Sequence, residues 1–210
     1  GELINGMTVS DGKVYVTGLI GSSTVNNGRV VPKPGEMDVL VAKLSAQDGS
    51  ITWISAIGSI FGDHGYSVAA FGDGVYVAGH TYGSIAGSGA YYGNRDGFLA
   101  KLSANTGAIV WSKQIGGNKN DDAFGVVPTV NGTLLVTGAF EGAGTFGVRT
   151  LTAQGTIGSD AYLAEVTTSG DFLWVKKYGA LFTDTGWGMF FSWIHWCLIC
   201  WNIFSFYARC

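Results

Sequence analysis

Aspartate recurs at two fixed places along this chain of 210 residues. One set begins three similar apolar runs and the other follows three tryptophans by ten residues; the sets are Asp38, Asp96 and Asp160, and Asp63, Asp121 and Asp184. A ring of carboxylates could bind Ca²⁺, but Ca²⁺ loops place several oxygen ligands within one short run. No Asp-x-Asp-x-Asp-Gly run occurs here. We therefore predict that each Asp accepts hydrogen bonds within its own turn.

Histidine and cysteine give no clear reaction centre. His64 falls in a predicted loop between repeats, and His80 follows a glycine at the end of a predicted strand. Cys197 and Cys200 lie near His195, but zinc normally takes four ligands in a polar turn, whereas these cysteines stand in an apolar run. The sequence therefore predicts no catalytic residue, no cofactor and no metal site.

The elements that carry these residues are repeated. Each apolar run leads to a glycine, then after four residues to a tryptophan, and after five more to another glycine. The first glycine and the tryptophan of the three copies are Gly49 and Trp53, Gly107 and Trp111, and Gly170 and Trp174. Fixed spacing over about 60 residues is the sequence sign of a repeat architecture.

Each repeat contains four predicted strands. The runs Val14–Gly18, Val75–Gly79 and Leu134–Gly138 add a second β-rich pair before each apolar run, with Asn-Gly or Asp-Gly turns. Four antiparallel strands per unit are typical of a propeller blade. We predict an all-β domain over residues 1–188, with blades at about 1–62, 63–120 and 121–183, and with each tryptophan wedged between neighbouring blades.

The repeat resembles a known family. The pattern Asp-x-x-x-Ala-Lys-Leu, Gly, Trp, Gly and Asp is similar to the seven-bladed β-propeller (SBBP) repeat, and the run 113–126 matches it well. Residues 102–111 also resemble, more weakly, the tryptophan-docking motif of quinoprotein-type propellers. The resemblance implies a propeller fold and frequently an exported or cell-surface setting, and neither repeat motif carries catalytic residues.

Composition excludes several classes of protein. The chain has 34 glycines without a three-residue period, which excludes collagen, and its 47% hydrophobic residues argue against disorder. It has 12 Lys and Arg against 15 Asp and Glu, with no basic run, so no nucleic-acid partner is expected.

Residues 189–210 break the pattern. After residue 188 the chain has no glycine, and 189–208 carry no formal charge, which is enough length for a membrane-spanning helix. The polar residues and mid-segment tryptophans favour instead a terminus outside the repeat frame. We expect a hydrophobic helix or an unstructured tail, attached to an incomplete propeller whose remaining blades lie elsewhere.

The function predicted from these features is that of a non-enzymatic binding or structural scaffold, exported or at the cell surface, with a protein or glycan partner. Contacts are expected on the long loops 19–37, 80–95 and 139–159. The first candidates are His80, Tyr82, Tyr91 and Tyr92. The alternatives are a quinoprotein-like oxidoreductase fragment and a membrane-anchored surface protein.

Overall fold

The computed structural model describes residues 1–21, 24–25, 29–31, 34–88, 91–154, 158–179, 183–189 and 199–201. These residues form eighteen β-strands and no helix. In chain order the strands are β1 (Glu2–Ser10), β2 (Lys13–Ile20), β3 (Thr24–Val25), β4 (Arg29–Val30), β5 (Asp38–Ser45), β6 (Ile51–Ile57), β7 (Asp63–Phe71), β8 (Gly74–Thr81), β9 (Asp96–Ser103), β10 (Ile109–Ile115), β11 (Asp121–Pro128), β12 (Thr133–Glu141), β13 (Ala143–Phe146), β14 (Arg149–Thr152), β15 (Ser159–Thr167), β16 (Phe172–Tyr178), β17 (Gly186–Met189) and β18 (Ile199–Trp201).

Twelve of these strands form three sheets of the same design. The sheet orders are β1-β2-β5-β6, β7-β8-β9-β10 and β11-β12-β15-β16, and every neighbouring pair is antiparallel. We call these sheets blades 1, 2 and 3. The prediction of an all-β chain built from three four-stranded antiparallel blades is confirmed.

The blades stack through their first strands. Strand β7 packs against β1, β2 and β5 of blade 1, and β11 packs against β7, β8 and β9 of blade 2. Strand β17 packs in the same way against β11, β12 and β15 of blade 3. The described residues therefore form an arc of three blades and the first strand of a fourth.

The hydrophobic core lies at the seams between blades. One buried cluster joins blades 1 and 2 and contains Tyr15, Trp53 and Phe98. Another joins blades 2 and 3 and contains Tyr76 and Tyr162. Because a single sheet cannot bury both of its faces alone, this distribution makes each blade depend on its neighbour.

A β-bulge in each first strand explains the repeated glycine of the second strand. The register of β1, β7 and β11 shifts at Asn5, Tyr66 and Phe124. The opposing residues are Gly18, Gly79 and Gly138, and a Cβ at these positions would lie 1.9, 2.0 and 1.9 Å from a backbone carbonyl oxygen of the first strand. A side chain cannot fit at this distance, so the bulge requires glycine.

Side-chain size is matched across successive seams. A Cβ on Gly65 would lie 2.3 Å from the Oγ1 of Thr17, and a Cβ on Gly186 would lie 2.3 Å from the Oγ1 of Thr137. At the equivalent place between blades 2 and 3, Ala78 and Ala123 are both fully buried in one cluster. A threonine thus faces a glycine between blades 1 and 2 and again between blade 3 and β17, whereas two alanines share the equivalent space between blades 2 and 3.

The turns between first and second strands are tight. Asp11 and Gly12 have φ of 48° and 66°, as a two-residue hairpin turn of the expected type requires. In blade 2 the Asp-Gly turn expected from the sequence, at Asp73 and Gly74, is wrong by one residue. Phe71 pairs with Gly74, and it is Gly72 that has the positive φ of 59°.

The loop between the second and third strands of blade 3 folds into a hairpin, β13–β14. Its Phe146 is fully buried and contacts the rings of Phe140 and Tyr162, with centroids 5.7 and 4.8 Å away. The hairpin contacts β10 of blade 2 and β12 of blade 3. It therefore fills part of the seam between these two blades.

The prediction for the tail falls mostly outside the described residues. Of residues 190–210 only Ile199–Trp201 are described, and they form a strand antiparallel to Gly186–Met189. For these three residues the expected helix or unstructured segment is wrong. A first strand of a blade leaves backbone N–H and C=O groups unpaired along its edge, and these groups accept an added strand.

Candidate functional site

The repeated aspartates hold the loops at one end of the blades. Asp63 accepts a hydrogen bond from the backbone N–H of Ser59 (2.6 Å) through Oδ2 and from that of Tyr82 (3.1 Å) through Oδ1. Asp96 accepts one from the N–H of Tyr92 (2.7 Å). Both carboxyl groups are fully buried. Each therefore fixes the backbone of a loop residue from inside the protein.

The other repeated aspartates make the same kind of contact. Asp38 accepts from Gly35, Asp160 from Gln154 (2.8 Å), and Asp121 from Gly117 (2.8 Å) and Glu141 (3.2 Å). The backbone N–H of Asp184 donates to the carbonyl of Ser159 (2.7 Å). Within the described residues, no three side chains of the His, Cys, Asp or Glu types converge as metal ligands would.

Two of these carboxyl groups share the space beside a glycine in blade 2. A Cβ on Gly116 would lie 2.7 Å from Asp96 Oδ1 and 2.9 Å from Asp121 Oδ2. Burial raises the pKa of Asp96 to about 6 and that of Asp121 to about 7, and the charge of Asp96 adds to the second shift. The glycine five residues after the tryptophan thus leaves room for two carboxyls at Gly58 and Gly116, and for the Asp160 carboxyl at Gly179.

The tryptophans of blades 1 and 2 bond to the next blade. Trp53 Nε1 donates to the carbonyl of Ala104 (3.1 Å), and Trp111 Nε1 donates to that of Thr168 (3.1 Å). Trp174 Nε1 donates to Glu165 of its own blade. The repeated Gly49, Gly107 and Gly170 have positive φ, and Gly107 and Gly170 lie against the indoles of Trp53 and Trp111.

A polar cluster joins blades 2 and 3 near the same end as the aspartates. His80 Nδ1 lies 2.7 Å from the hydroxyl of Tyr66 and 3.1 Å from Asp122 Oδ1. Arg95 donates to the other oxygen of Asp122 (2.6 Å). The ring of His64 stacks on that of His80 with centroids 4.9 Å apart. Asp122 belongs to blade 3 and the other four residues to blade 2, so the cluster ties the two blades together.

Burial shifts the pKa of two residues of this cluster, His64 and Tyr66. Burial lowers the pKa of His64, and the neighbouring His80 lowers it further. Burial and the Asp122 carboxylate raise the pKa of Tyr66 above its ordinary value, so this phenol stays protonated. The Nε2 atom of His80 is buried without a hydrogen-bond partner among the described residues. The cluster thus has one ion pair, Arg95–Asp122, and a hydrogen bond between Tyr66 and His80 Nδ1 that lies next to the other oxygen of Asp122.

Two expectations about the histidines are wrong. His64 lies in strand β7 and not in a loop, and His80, expected to start a contact loop, lies in β8 and is 5% exposed. Sequence reasoning left them unconnected because Asp122 comes from the next repeat. A usable signal was the departure from the repeat, since His64 and His80 stand where blade 1 has Leu3 and Leu19.

Four aromatic side chains surround this end of blade 2, and we call them the aromatic rim: Phe61, Tyr82, Tyr91 and Tyr92. The three tyrosines expose 37%, 39% and 39% of their surface. Phe61 lies against the backbone of Gly83, and Tyr91 donates its hydroxyl to the Asn94 carbonyl (2.7 Å). Of the predicted contact residues, Tyr82, Tyr91 and Tyr92 are thus partly exposed in loops, whereas His80 is buried with its ring 5.3 Å from that of Tyr82.

The remaining predicted features are outside the described residues or give no site. Cys197 and His195, and parts of the loops 19–37, 80–95 and 139–159, are not described. The described part of the chain contains no helix long and apolar enough to span a membrane.

Of the comparisons with known proteins, the one with solved structures gives matches. No family model matches the chain, and no curated protein sequence matches it. Solved structures do match, among them the crystal structure of BamB from Moraxella catarrhalis, with 16% sequence identity and a TM-score of 0.28. That match covers 84% of this chain and 66% of BamB, so the chain spans less than two thirds of the length of that protein.

Proposed function

We propose that the chain is a non-enzymatic propeller segment, built from SBBP-type repeats, that serves as a binding scaffold at the cell surface or outside the cell. The observation that carries this proposal is the aromatic rim. Its tyrosines are partly exposed, yet the backbones of Tyr82 and Tyr92 are fixed by the buried carboxyls of Asp63 and Asp96. A rigid aromatic surface loses little conformational entropy on binding, which suits a protein or glycan partner.

The rim favours binding over catalysis for a physical reason. The titratable groups beneath it, His80 and Asp122, are 5% exposed each, and they are occupied by Tyr66 and Arg95. A general acid or base must reach the proton that it moves. The groups that a partner can reach are the rings of Tyr82, Tyr91 and Tyr92, which offer stacking surface.

The test is a triple variant, Tyr82→Ala with Tyr91→Ala and Tyr92→Ala. Because rim aromatics supply most of the proposed contact surface, binding to a glycan array and to surface-protein extracts should fall at least tenfold. The matched control is Phe71→Ala, an aromatic residue with 37% exposure that lies at the other end of β7. Equal binding by the triple variant and the parent, with both folded, would overturn the proposal.

A further inference from the structure

A cleft of about 250 Å³ opens between blades 2 and 3, at the end opposite to the aromatic rim. Lys113 of β10 forms one wall, the turn Gly147–Arg149 of the β13–β14 hairpin forms another, and the turn Gly170–Phe172 forms the floor. Gly147 and Gly170 have φ of 63° and 91°, a backbone conformation that favours glycine. Because glycine has no side chain, neither turn fills the cleft at these two positions. The cleft is therefore built from three separate segments of the chain.

The equivalent place between blades 1 and 2 shows why the cleft is open. Ser55 stands two residues after Trp53, as Lys113 does after Trp111. The hydroxyl of Ser55 donates to the Gly107 carbonyl (2.8 Å), which closes that seam. Lys113 instead passes over Gly170, where a Cβ would lie 3.0 Å from its Cε. Its ammonium group has no hydrogen-bond or ion-pair partner among the described residues.

Arg149 adds a second positive charge without an acid partner. Its guanidinium donates to the carbonyls of Phe172 (2.5 Å) and Leu173 (2.7 Å), and no carboxylate in the described part of the chain pairs with it. These two hydrogen bonds fix its position and leave its charge uncompensated. Two cations that line the same cleft attract an anion into it.

The lining also includes one acid and one aromatic ring. Asp171 accepts hydrogen bonds from Ser169 (2.9 Å) and Thr167 (3.4 Å) of its own turn. The formal charge of the lining is thus +1, from Lys113, Arg149 and Asp171. The buried ring of Phe172 provides an apolar floor. These features fit a ligand with one negative group and a small apolar part.

We propose that this cleft binds a carboxylate attached to a small apolar group, with Lys113 and Arg149 on the carboxylate and Phe172 against the apolar part. The site lies apart from the aromatic rim, so it goes beyond the scaffold function proposed above. The carboxylate belongs either to a free organic acid or to the C-terminus of a peptide.

Sodium benzoate is the first probe, and the backbone amide signals of Gly147 and Gly170 in ¹⁵N NMR spectra are the readout. Benzoate should shift both signals saturably, and benzamide, which has the same shape without the charge, should bind at least tenfold more weakly. Lys113→Ser installs the blade 1 residue and should weaken benzoate binding at least fivefold. Asp171→Asn removes the opposing charge and should strengthen it about twofold to fivefold.

The matched control is Lys176→Ser. Lys176 stands two residues after Trp174, is exposed and does not line the cleft, so benzoate binding should stay within twofold of the parent. Equal binding of benzamide and benzoate, or equal loss in Lys113→Ser and Lys176→Ser, would overturn the site. N-acetylphenylalanine distinguishes the two sources. If it binds at least tenfold more tightly than benzoate, the natural carboxylate is a peptide terminus; otherwise it is a free acid.

Discussion

Gly49 in blade 1 and Gly107 in blade 2 occupy the same turn of the repeat and have nearly the same φ, +70° and +74°. A Cβ on Gly107 would lie 2.7 Å from the Trp53 indole, whereas a Cβ on Gly49 would meet nothing within 4 Å. The first strands show the same contrast. Met7 is 67% exposed, but the equivalent Val68 and Val126 are 6% and 1% exposed. Among the described residues, this face of blade 1 is thus exposed, whereas the equivalent faces of blades 2 and 3 are covered by the preceding blade.

The other side of the arc completes this comparison. Trp174 is equivalent to Trp53 and Trp111, but its indole bonds to Glu165 of its own blade, where blades 1 and 2 have Lys43 and Lys101. The repeat therefore encodes both halves of a seam in each blade. One face of a blade contributes to stability only where a neighbouring blade covers it. The sequence of a single repeat does not say whether that neighbour is present.

The largest expected effect compares two tryptophans. Trp53→Ala should lower the free energy of unfolding by about 3–5 kcal/mol, because it removes a buried ring and one of the two hydrogen bonds that the Ala104 carbonyl accepts, the other coming from Lys43. Trp174→Ala should cost less than half as much, because its ring is only partly buried. Urea unfolding of both variants measures the difference. Equal losses would show that the seam adds nothing to the packing of an indole.

The next effect compares the carboxyl of Asp96 in blade 2 with that of Asp160 in blade 3. The pKa of Asp96 is raised to about 6, so its folded state binds a proton more tightly than the unfolded chain does. This contribution to stability is complete below the ordinary pKa of 3.8 and is lost as the pH rises through 6. Asp96→Asn should therefore flatten the pH dependence between about pH 4 and 6.5 and raise stability at pH 7.5 by about 1–3 kcal/mol.

The control for this pH effect is Asp160→Asn in blade 3. The Asp160 carboxylate lies 3.4 Å from Lys177 Nζ and accepts the Gln154 N–H. Its replacement should lower stability at pH 7.5 by about 1 kcal/mol. Denaturant unfolding at several pH values measures both variants. A destabilised Asp96→Asn protein with an unchanged pH slope would contradict the assignment.

The smallest effect isolates the docking contact itself. Gly49→Ala and Gly107→Ala bring the same backbone strain of about 1 kcal/mol, since both positions have positive φ. Only Gly107→Ala also pushes a methyl group against the Trp53 indole, which should add about 1–3 kcal/mol. Thermal melts of the pair give the difference directly. If the two variants have the same melting temperature, the Trp53 indole moves aside without a loss of stability.

The blades could be predicted because their information is local: strand pattern, turn residues and repeat spacing lie within about 60 residues. The polar cluster could not, because His80 and Asp122 meet only across a seam, and the repeat pattern assigns Asp122 the role of a neighbour of Asp121. The cleft was missed for the same reason. Lys113 and Arg149 acquire a shared role only when the β13–β14 hairpin folds back to β16.

The threonine–glycine and alanine–alanine pairs at the seams have a consequence for the order of the blades. Thr17 leaves room for a glycine at position 65 and not for a side chain. Ala123 is the equivalent residue of blade 3, and its methyl group would not fit beside Thr17. Blade 3 therefore cannot follow blade 1 directly without a steric clash, although the two sheets share one topology. At this position each blade thus fits the blade that follows it in shape, so the order of the blades along the chain affects how closely they can pack.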